Sequence, residues 1–407
     1  MIPKNFLQNF KIKTNKYVNM IKKPNEISFK FLNFSKKDLF NTLSPSSFMT
    51  NAQLKEKLNF SFKNDLFKIS LLYQNTEFND LTINKCLEDK NFFPNLLLFH
   101  PFLQSVYNVC TFEKYQINFE REYVQLPDGG QISLDWAYSP QPMENKILFV
   151  IHGLTGGSEM PYVQSMVTEA QTQGFTTVVC HNRGINRTAL TTPEPFHGVK
   201  LDDIEYAIKH IQKKYKNPEL YGVGLSLGGN LLLRYAGNKK NEVEFKGLVA
   251  IATPFDIGQC LNNLSFVYEK FFLRRYIEQT LIPNLEMLKS LEKTHNIDFQ
   301  KVINAKTLKD FHEGFTVKVF GYKNVEEYLE AAKVNEEHIK NISVPTLLLH
   351  AKDDPITTIK CVPVNALMHN KNIIYVETKN GGHVCWFYKT KPERVNFLKL
   401  LFIQHSF

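Results

Sequence analysis

Residues 220–229 constrain this chain more than any other stretch. The apolar run 220–223 leads into Gly224-Leu225-Ser226-Leu227-Gly228. Gly229 follows, and a helical pattern continues to about Ala236. Gly-x-Ser-x-Gly between a strand and a helix is the pattern of a sharp strand-to-helix turn that lifts the serine out of a sheet. The backbone at such a serine is strained. Side chains two residues before and two after it would collide, so glycine is needed at both positions. The hydroxyl is then exposed, and the helix N-terminus behind it favours developing negative charge.

Short, continuously apolar runs recur around this turn at 146–151, 176–180, 220–225, 247–252, 346–350 and 373–377. Continuous rather than alternating hydrophobicity marks strands buried on both faces of a parallel sheet. Amphipathic stretches at 161–173 and 202–215 lie between them. The alternation predicts an α/β fold, a mostly parallel central sheet with helices on both faces. Pro127-Asp128-Gly129-Gly130 joins strand-like runs at 121–126 and 131–138, which predicts a hairpin. The rhythm breaks between 255 and 340, where the sequence is aromatic, mixed in charge and helical in character. An insertion there would lie over the C-terminal edge of the sheet, where α/β ligand sites sit. A helical lid or cap over 255–340 is the expectation.

Residues 1–90 show no repeat and no chemistry. They are expected to be a variable N-terminal extension, with the domain occupying 91–407. Residues 1–25 carry six lysines, Lys4, Lys11, Lys13, Lys16, Lys22 and Lys23, and no acid. No apolar core follows them, so no secretory signal is expected. Residues 91–112 carry no formal charge but include Pro94, His100, Pro101, Gln104 and Asn108. These suit lipid poorly, so a buried or groove-lining segment is expected rather than a membrane span.

Net charge is +9, with lysines spread along the chain and no arginine before Arg121. That patterning argues against nucleic-acid binding and leaves room for peripheral contact with anionic membrane. The cysteines, Cys86, Cys110, Cys180, Cys260, Cys361 and Cys385, have neither disulfide nor metal-ligand spacing. Free, mostly buried thiols in a reducing compartment are expected. No metal or cofactor is expected. The expected location is intracellular, cytoplasmic or peripheral to membranes.

A serine hydroxyl needs a base to become a nucleophile, and the base needs an orienting partner. In this type of fold they follow the serine as acid and then histidine. The run 346–350 ends in Ala351-Lys352-Asp353-Asp354-Pro355-Ile356, which puts a carboxylate just past a strand end. Asp354 and Asp353 are both candidates; Asp354, which precedes the Pro-Ile turn, is the expected acid, and Asp353 is then a turn or capping residue. The run 373–377 leads to Gly381-Gly382-His383, and His383 is the expected base. Ile151-His152-Gly153-Leu154-Thr155-Gly156-Gly157 follows another strand. There the backbone N–H of Leu154, with that of Leu227, would form an oxyanion hole. His152 is expected to pack or hydrogen-bond beneath that loop rather than take part in the chemistry. His197 and Asp202 fit an H-x4-D pattern seen in acyltransferases. The simpler reading makes Asp202 a helix start and His197 a loop residue.

With these residues in view, the chain resembles the AB hydrolase superfamily and, within it, the AB hydrolase 4 family of α/β-hydrolase lipid esterases. The resemblance rests on Pro94 through His100 to Gln104-Ser105, Asp128-Gly129-Gly130 with Leu134-Asp135-Trp136, and His152-Gly153-Leu154-Thr155-Gly156. It rests also on Asn182-Arg183-Gly184, Gly222 through Asn230, Ala351 through Ile356, and Gly381-Gly382-His383. It covers about residues 90–400. It implies the α/β-hydrolase fold and hydrolysis of acylglycerol, medium-chain or phospholipid esters, with catalytic roles for Ser226, Asp354 and His383. Some members transfer the acyl group to an alcohol, and that is the alternative reading. A catalytically silent binding protein of the same fold is a further one. Animal members often carry an N-terminal membrane anchor, and this sequence has no comparable apolar run.

Overall fold

The structure is a computed structural model that describes residues 69–74, 76–86, 98, 100, 101, 104, 117–388, 393 and 394. The expectations for residues 1–25 and for most of 91–112 lie outside these. Nine strands form one sheet: β1 (Ser70–Tyr73), β2 (Glu120–Gln125), β3 (Gln131–Ala137), β4 (Lys146–Ile151), β5 (Thr176–His181), β6 (Glu219–Leu225), β7 (Phe245–Ile251), β8 (Thr346–Ala351) and β9 (Ile373–Thr378). Their spatial order is β1-β9-β8-β7-β6-β4-β5-β3-β2. The strands from β4 to β9 pair in parallel. The β2–β3 hairpin and β1 close the two edges in antiparallel register. This is an α/β-hydrolase sheet. It reaches back to Ser70, upstream of the boundary at residue 91 expected from the sequence.

The central strands are buried on both faces, as their unbroken apolar runs require. In β4, Ile147, Phe149 and Ile151 point to one face, and Leu148 and Val150 to the other. The first set packs with α3 (Asp202–Lys214) and α4 (Leu227–Lys239), through Ile204, Ile208, Leu231 and Leu232. The second packs with α1 (Glu77–Cys86) and α2 (Pro161–Thr172), through Ile83, Val163 and Val167. Among the described residues no helix is long and apolar enough to cross a membrane.

Strand order reverses at β4, whose chain successors lie on opposite sides of it. A crevice opens at such a reversal, beyond the strands' carboxyl ends. The loop after β4 and the turn after β6 both emerge there.

The segment between β7 and β8 forms short helices, including Ile257–Asn263, Phe266–Tyr276 and Val325–Ala331, and two π-helical turns at Ile277–Leu281 and His312–Thr316. Its neck is narrow. The Asn230 amide donates to the carbonyls of both Pro254 and Ala332, each at 2.9 Å. The Val334 N–H donates to the Phe255 carbonyl at 2.8 Å. The insertion therefore leaves and returns at one point. The helix Glu336–Asn341, counted with the insertion in the sequence reading, lies beyond this neck. Its Ile339 joins the core beside α4.

Candidate active site

Ser226 sits between β6 and α4 with φ 53° and ψ −121°. For a non-glycine residue that geometry costs roughly 1–3 kcal/mol and persists only where the surroundings enforce it. Both flanking glycines are required. A Cβ on Gly224 would stand 2.5 Å from the Gly228 carbonyl oxygen, and one on Gly228 would collide with the Ile151 carbonyl.

The three expected side chains come together. His383 Nδ1 lies 2.8 Å from Asp354 Oδ2, and His383 Nε2 lies 2.9 Å from Ser226 Oγ. A proton on Nδ1, donated to the carboxylate, leaves Nε2 bare to accept the serine proton. Asp354 comes from the loop after β8 and has no exposed side-chain surface. Burial alone would raise its carboxyl. The positive charge and hydrogen bond of His383, the nearby His350 and the Thr357 hydroxyl outweigh burial, and the group stays below the usual carboxylate range. Oδ1 accepts the N–H groups of Ile356 and Thr357 at 2.8 and 2.9 Å, and Oδ2 accepts the Thr357 hydroxyl at 2.5 Å. Thr357 Oγ1 lies 3.0 Å from His350 Nε2. The sequence reading did not find Thr357 and His350. They lie four residues or fewer from Asp354, but neither has a spacing that singles it out.

Asp353 holds the backbone of the histidine loop. Its carboxylate accepts the Gly382 N–H at 2.9 Å and the Asn380 amide at 3.3 Å. Burial, helped by the charge on Asp354, pushes its carboxyl up to about 6 against those two hydrogen bonds.

The loop after β4 lies against the serine. A Cβ on Gly153 would be 3.1 Å from Ser226 Cβ and 3.7 Å from Oγ. The Gly153 carbonyl accepts from the Gly156 N–H at 3.0 Å and from His152 Nδ1 at 2.8 Å. That carbonyl and the Leu154 N–H belong to one planar trans peptide and point in opposite directions. Two donors on the carbonyl therefore fix the direction of the Leu154 N–H. Burial and the neighbouring His181 hold His152 down to about 3, so it is neutral. Leu227 N–H opens α4, where no intrahelical partner exists. Neither N–H has a hydrogen-bond partner among the described residues.

Beneath this loop is an ion network. Asp135 on β3 receives two hydrogen bonds from Arg121, at 2.6 and 2.7 Å, one from Ser158 at 2.5 Å, and one from His181 at 2.9 Å. The His181 ring lies 5.1 Å from that of His152. Arg183 pairs with Asp203 and Asp128 in a second network. Asp202, expected to start a helix, is exposed in the first turn of α3. His197 faces a cavity instead, so the H-x4-D residues stand in different surroundings.

The cavity lies over Ser226. The core supplies Leu154, Phe196 and Leu227, and the insertion roofs it with residues such as Leu261, Phe272 and Phe311. Among the described residues that line it, none is Asp, Glu, Lys or Arg. Among the described residues, Cys180, Cys260 and Cys361 are free thiols, and no cluster suits a metal ion.

Residues 142–362 match a family model described as serine aminopeptidase, S33. Similar proteins include embryogenesis-associated protein EMB8 of Picea glauca, 30% identical over 66% of this chain and 62% of that protein. Phospholipase ABHD3 of Mus musculus is 26% identical over 75% and 74% of the two chains. Monoacylglycerol lipase of Saccharomyces cerevisiae is 33% identical over 66% of this chain and 60% of that one. This chain thus spans about three-fifths of the first and third of these relatives.

Proposed function

The chain belongs to the serine aminopeptidase S33 family, and on that premise we propose that it is a serine carboxylic-ester hydrolase acting on lipid or medium-chain acyl esters. The observation that carries this reading is the hydrogen-bonded series Asp354–His383–Ser226 opening into an apolar cavity. An aminopeptidase needs a carboxylate to receive the free amino group of its substrate. The described cavity lining offers none. Leu, Phe and Ile side chains suit an acyl chain, each buried CH₂ of which contributes about 0.8 kcal/mol.

In the proposed mechanism Ser226 Oγ attacks the ester carbonyl as His383 Nε2 takes its proton. Asp354 keeps the imidazole in the required tautomer and stabilises its charged form. The oxyanion is received by the N–H groups of Leu154 and Leu227, each such donor worth about 3 kcal/mol in the transition state. His383 then gives its proton to the leaving alcohol. Water repeats the sequence on the acyl-enzyme and releases the acid. The insertion acts as a lid over the acyl chain.

The test is Ser226→Ala, assayed with p-nitrophenyl octanoate and a fluorophosphonate probe. Loss of both turnover and labelling is expected, while full activity in the variant would remove the proposal.

A further inference from the structure

Part of the wall of this largely apolar cavity is polar. His197, His312 and Tyr328 line the same cavity as Ser226. Their rings are grouped, with centroids 6.5 Å apart for His197 and Tyr328, and 4.9 Å for His312 and Tyr328. None of the three has a part in the acyl-transfer steps above.

The back of His197 is wired to a buried charge. Arg234, on α4, is almost fully buried and has no carboxylate partner among the described residues. It donates to the Gly198 carbonyl at 2.5 Å and to the Val199 carbonyl at 3.0 Å. The Gly198 carbonyl shares its peptide with the Val199 N–H, which donates to His197 Nδ1 at 3.4 Å. A guanidinium on the carbonyl side of a peptide polarises its N–H, and successive hydrogen bonds strengthen one another. An Nδ1 that accepts from an N–H is unprotonated, so in the neutral ring Nε2 carries the proton. Burial, with Lys200, Arg234 and Arg183 nearby, lowers His197 to about 4, so the ring is neutral at ordinary pH. Tyr328 is held in the same way, its hydroxyl oxygen accepting the Gly198 N–H at 3.2 Å. That leaves its own proton to donate. Two donors, backed by an unneutralised cation, thus belong to a cavity wall of Leu, Phe and Ile side chains.

We propose that His197 Nε2–H, with the Tyr328 hydroxyl, binds a second acceptor oxygen of the substrate, one belonging to a glycerolipid beyond the scissile carbonyl. This inference rests on the esterase reading and names the part of the substrate that a plain fatty ester lacks. The acceptor chemistry is shared by a neighbouring acyl ester and by a phosphodiester. A buried donor pair discriminates strongly against ligands that leave it unpaired.

The experiment compares wild type, His197→Phe and His197→Gln on p-nitrophenyl octanoate, dioctanoylglycerol and dioctanoyl phosphatidylcholine. Phe keeps the ring volume without the donor, and Gln restores an N–H near the Nε2 position. For His197→Phe the expected result is a kcat/KM about tenfold lower on one or both glycerolipids, the loss of one good hydrogen bond. The loss on glycerolipid should exceed any loss on p-nitrophenyl octanoate by that factor, and His197→Gln should recover most of the lipid activity. Loss on dioctanoylglycerol identifies the ester carbonyl, and loss confined to the phospholipid identifies the phosphodiester. Equal loss on all three substrates, or none on either glycerolipid, overturns the inference and leaves the esterase reading standing. A wild-type protein that turns over p-nitrophenyl octanoate but neither glycerolipid overturns the lipid reading, and this one with it.

Discussion

Asp353 and Gly382 are joined by a carboxylate–N–H hydrogen bond of 2.9 Å, one residue before the His383 that Asp354 contacts. Adjacent aspartates therefore hold adjacent parts of one loop, the first its backbone and the second its imidazole. Their substitution has different expected outcomes. Asp354→Asn leaves a side chain that cannot accept from Nδ1–H in the same way, so the histidine takes the wrong tautomer. Under the proposed mechanism kcat falls by about 10⁴. Asp353→Asn keeps an acceptor for Gly382 and should cost no more than about tenfold, the worth of one hydrogen bond. Steady-state kinetics on p-nitrophenyl octanoate separates the two.

Asp353 also has a signature in stability against pH. Its folded carboxyl is raised from 3.8 to about 6. The folded state then holds a proton that the unfolded chain has released, so this group stabilises below about pH 4. That contribution fades as pH rises through about 6. Asp353→Asn removes the dependence. Relative to wild type, its Tm should rise by about 2–4 °C between pH 4 and pH 7, read by scanning fluorimetry. A constant difference across that range would count against the raised carboxyl.

His152 does not touch the serine, yet its Nδ1–H fixes the peptide that carries the Leu154 N–H. His152→Phe keeps a ring and loses the donor. We expect kcat to fall about 10–100-fold with KM changed less than threefold, part of the contribution of one oxyanion donor. Fluorophosphonate labelling should slow in parallel, because the probe's oxygen uses the same donors. A variant with altered KM and normal kcat would assign His152 to packing instead.

Asp135 is almost fully buried between Arg121 and His181. Its carboxyl lies far below the usual range: burial acts to raise it, but bonds from Arg121, His181 and Ser158 more than compensate. Asp135→Ala strands a guanidinium that is itself largely enclosed. Removing one partner of such a pair costs about 3–5 kcal/mol. Chemical denaturation should show that loss, with Ser226 labelling retained in whatever fraction stays folded.

Much of this architecture is legible in residue order. The central strands are continuous apolar runs, and each strand from β2 to β9 falls within two residues of its expected position. Ser226, Asp354 and His383 could be named because each follows a buried strand and carries a local mark. Strand β1 could not. Ser-Leu-Leu-Tyr is too short to carry a period, and its partner β9 lies some three hundred residues away. The roles of His197 and Arg234 escaped for a related reason. A hydrogen bond from one helix to the carbonyl of a distant loop leaves no spacing in the chain. His197 was visible only through a pattern that pairs it with Asp202, while the structure ties it to Arg234. The π-helical turns, which bring His312 and Thr316 to the cavity, depend on packing within the insertion and have no sequence mark of their own.

The pinched neck at Asn230 has an evolutionary consequence. Since the insertion departs and returns beside one side chain, residues can be gained or lost between Pro254 and Ala332 without shifting β7, β8 or the histidine loop. The roof of the cavity is thus free to diversify while the machinery beneath it is held fixed. A lineage could explore new acyl chains by exchanging a cassette whose ends already meet.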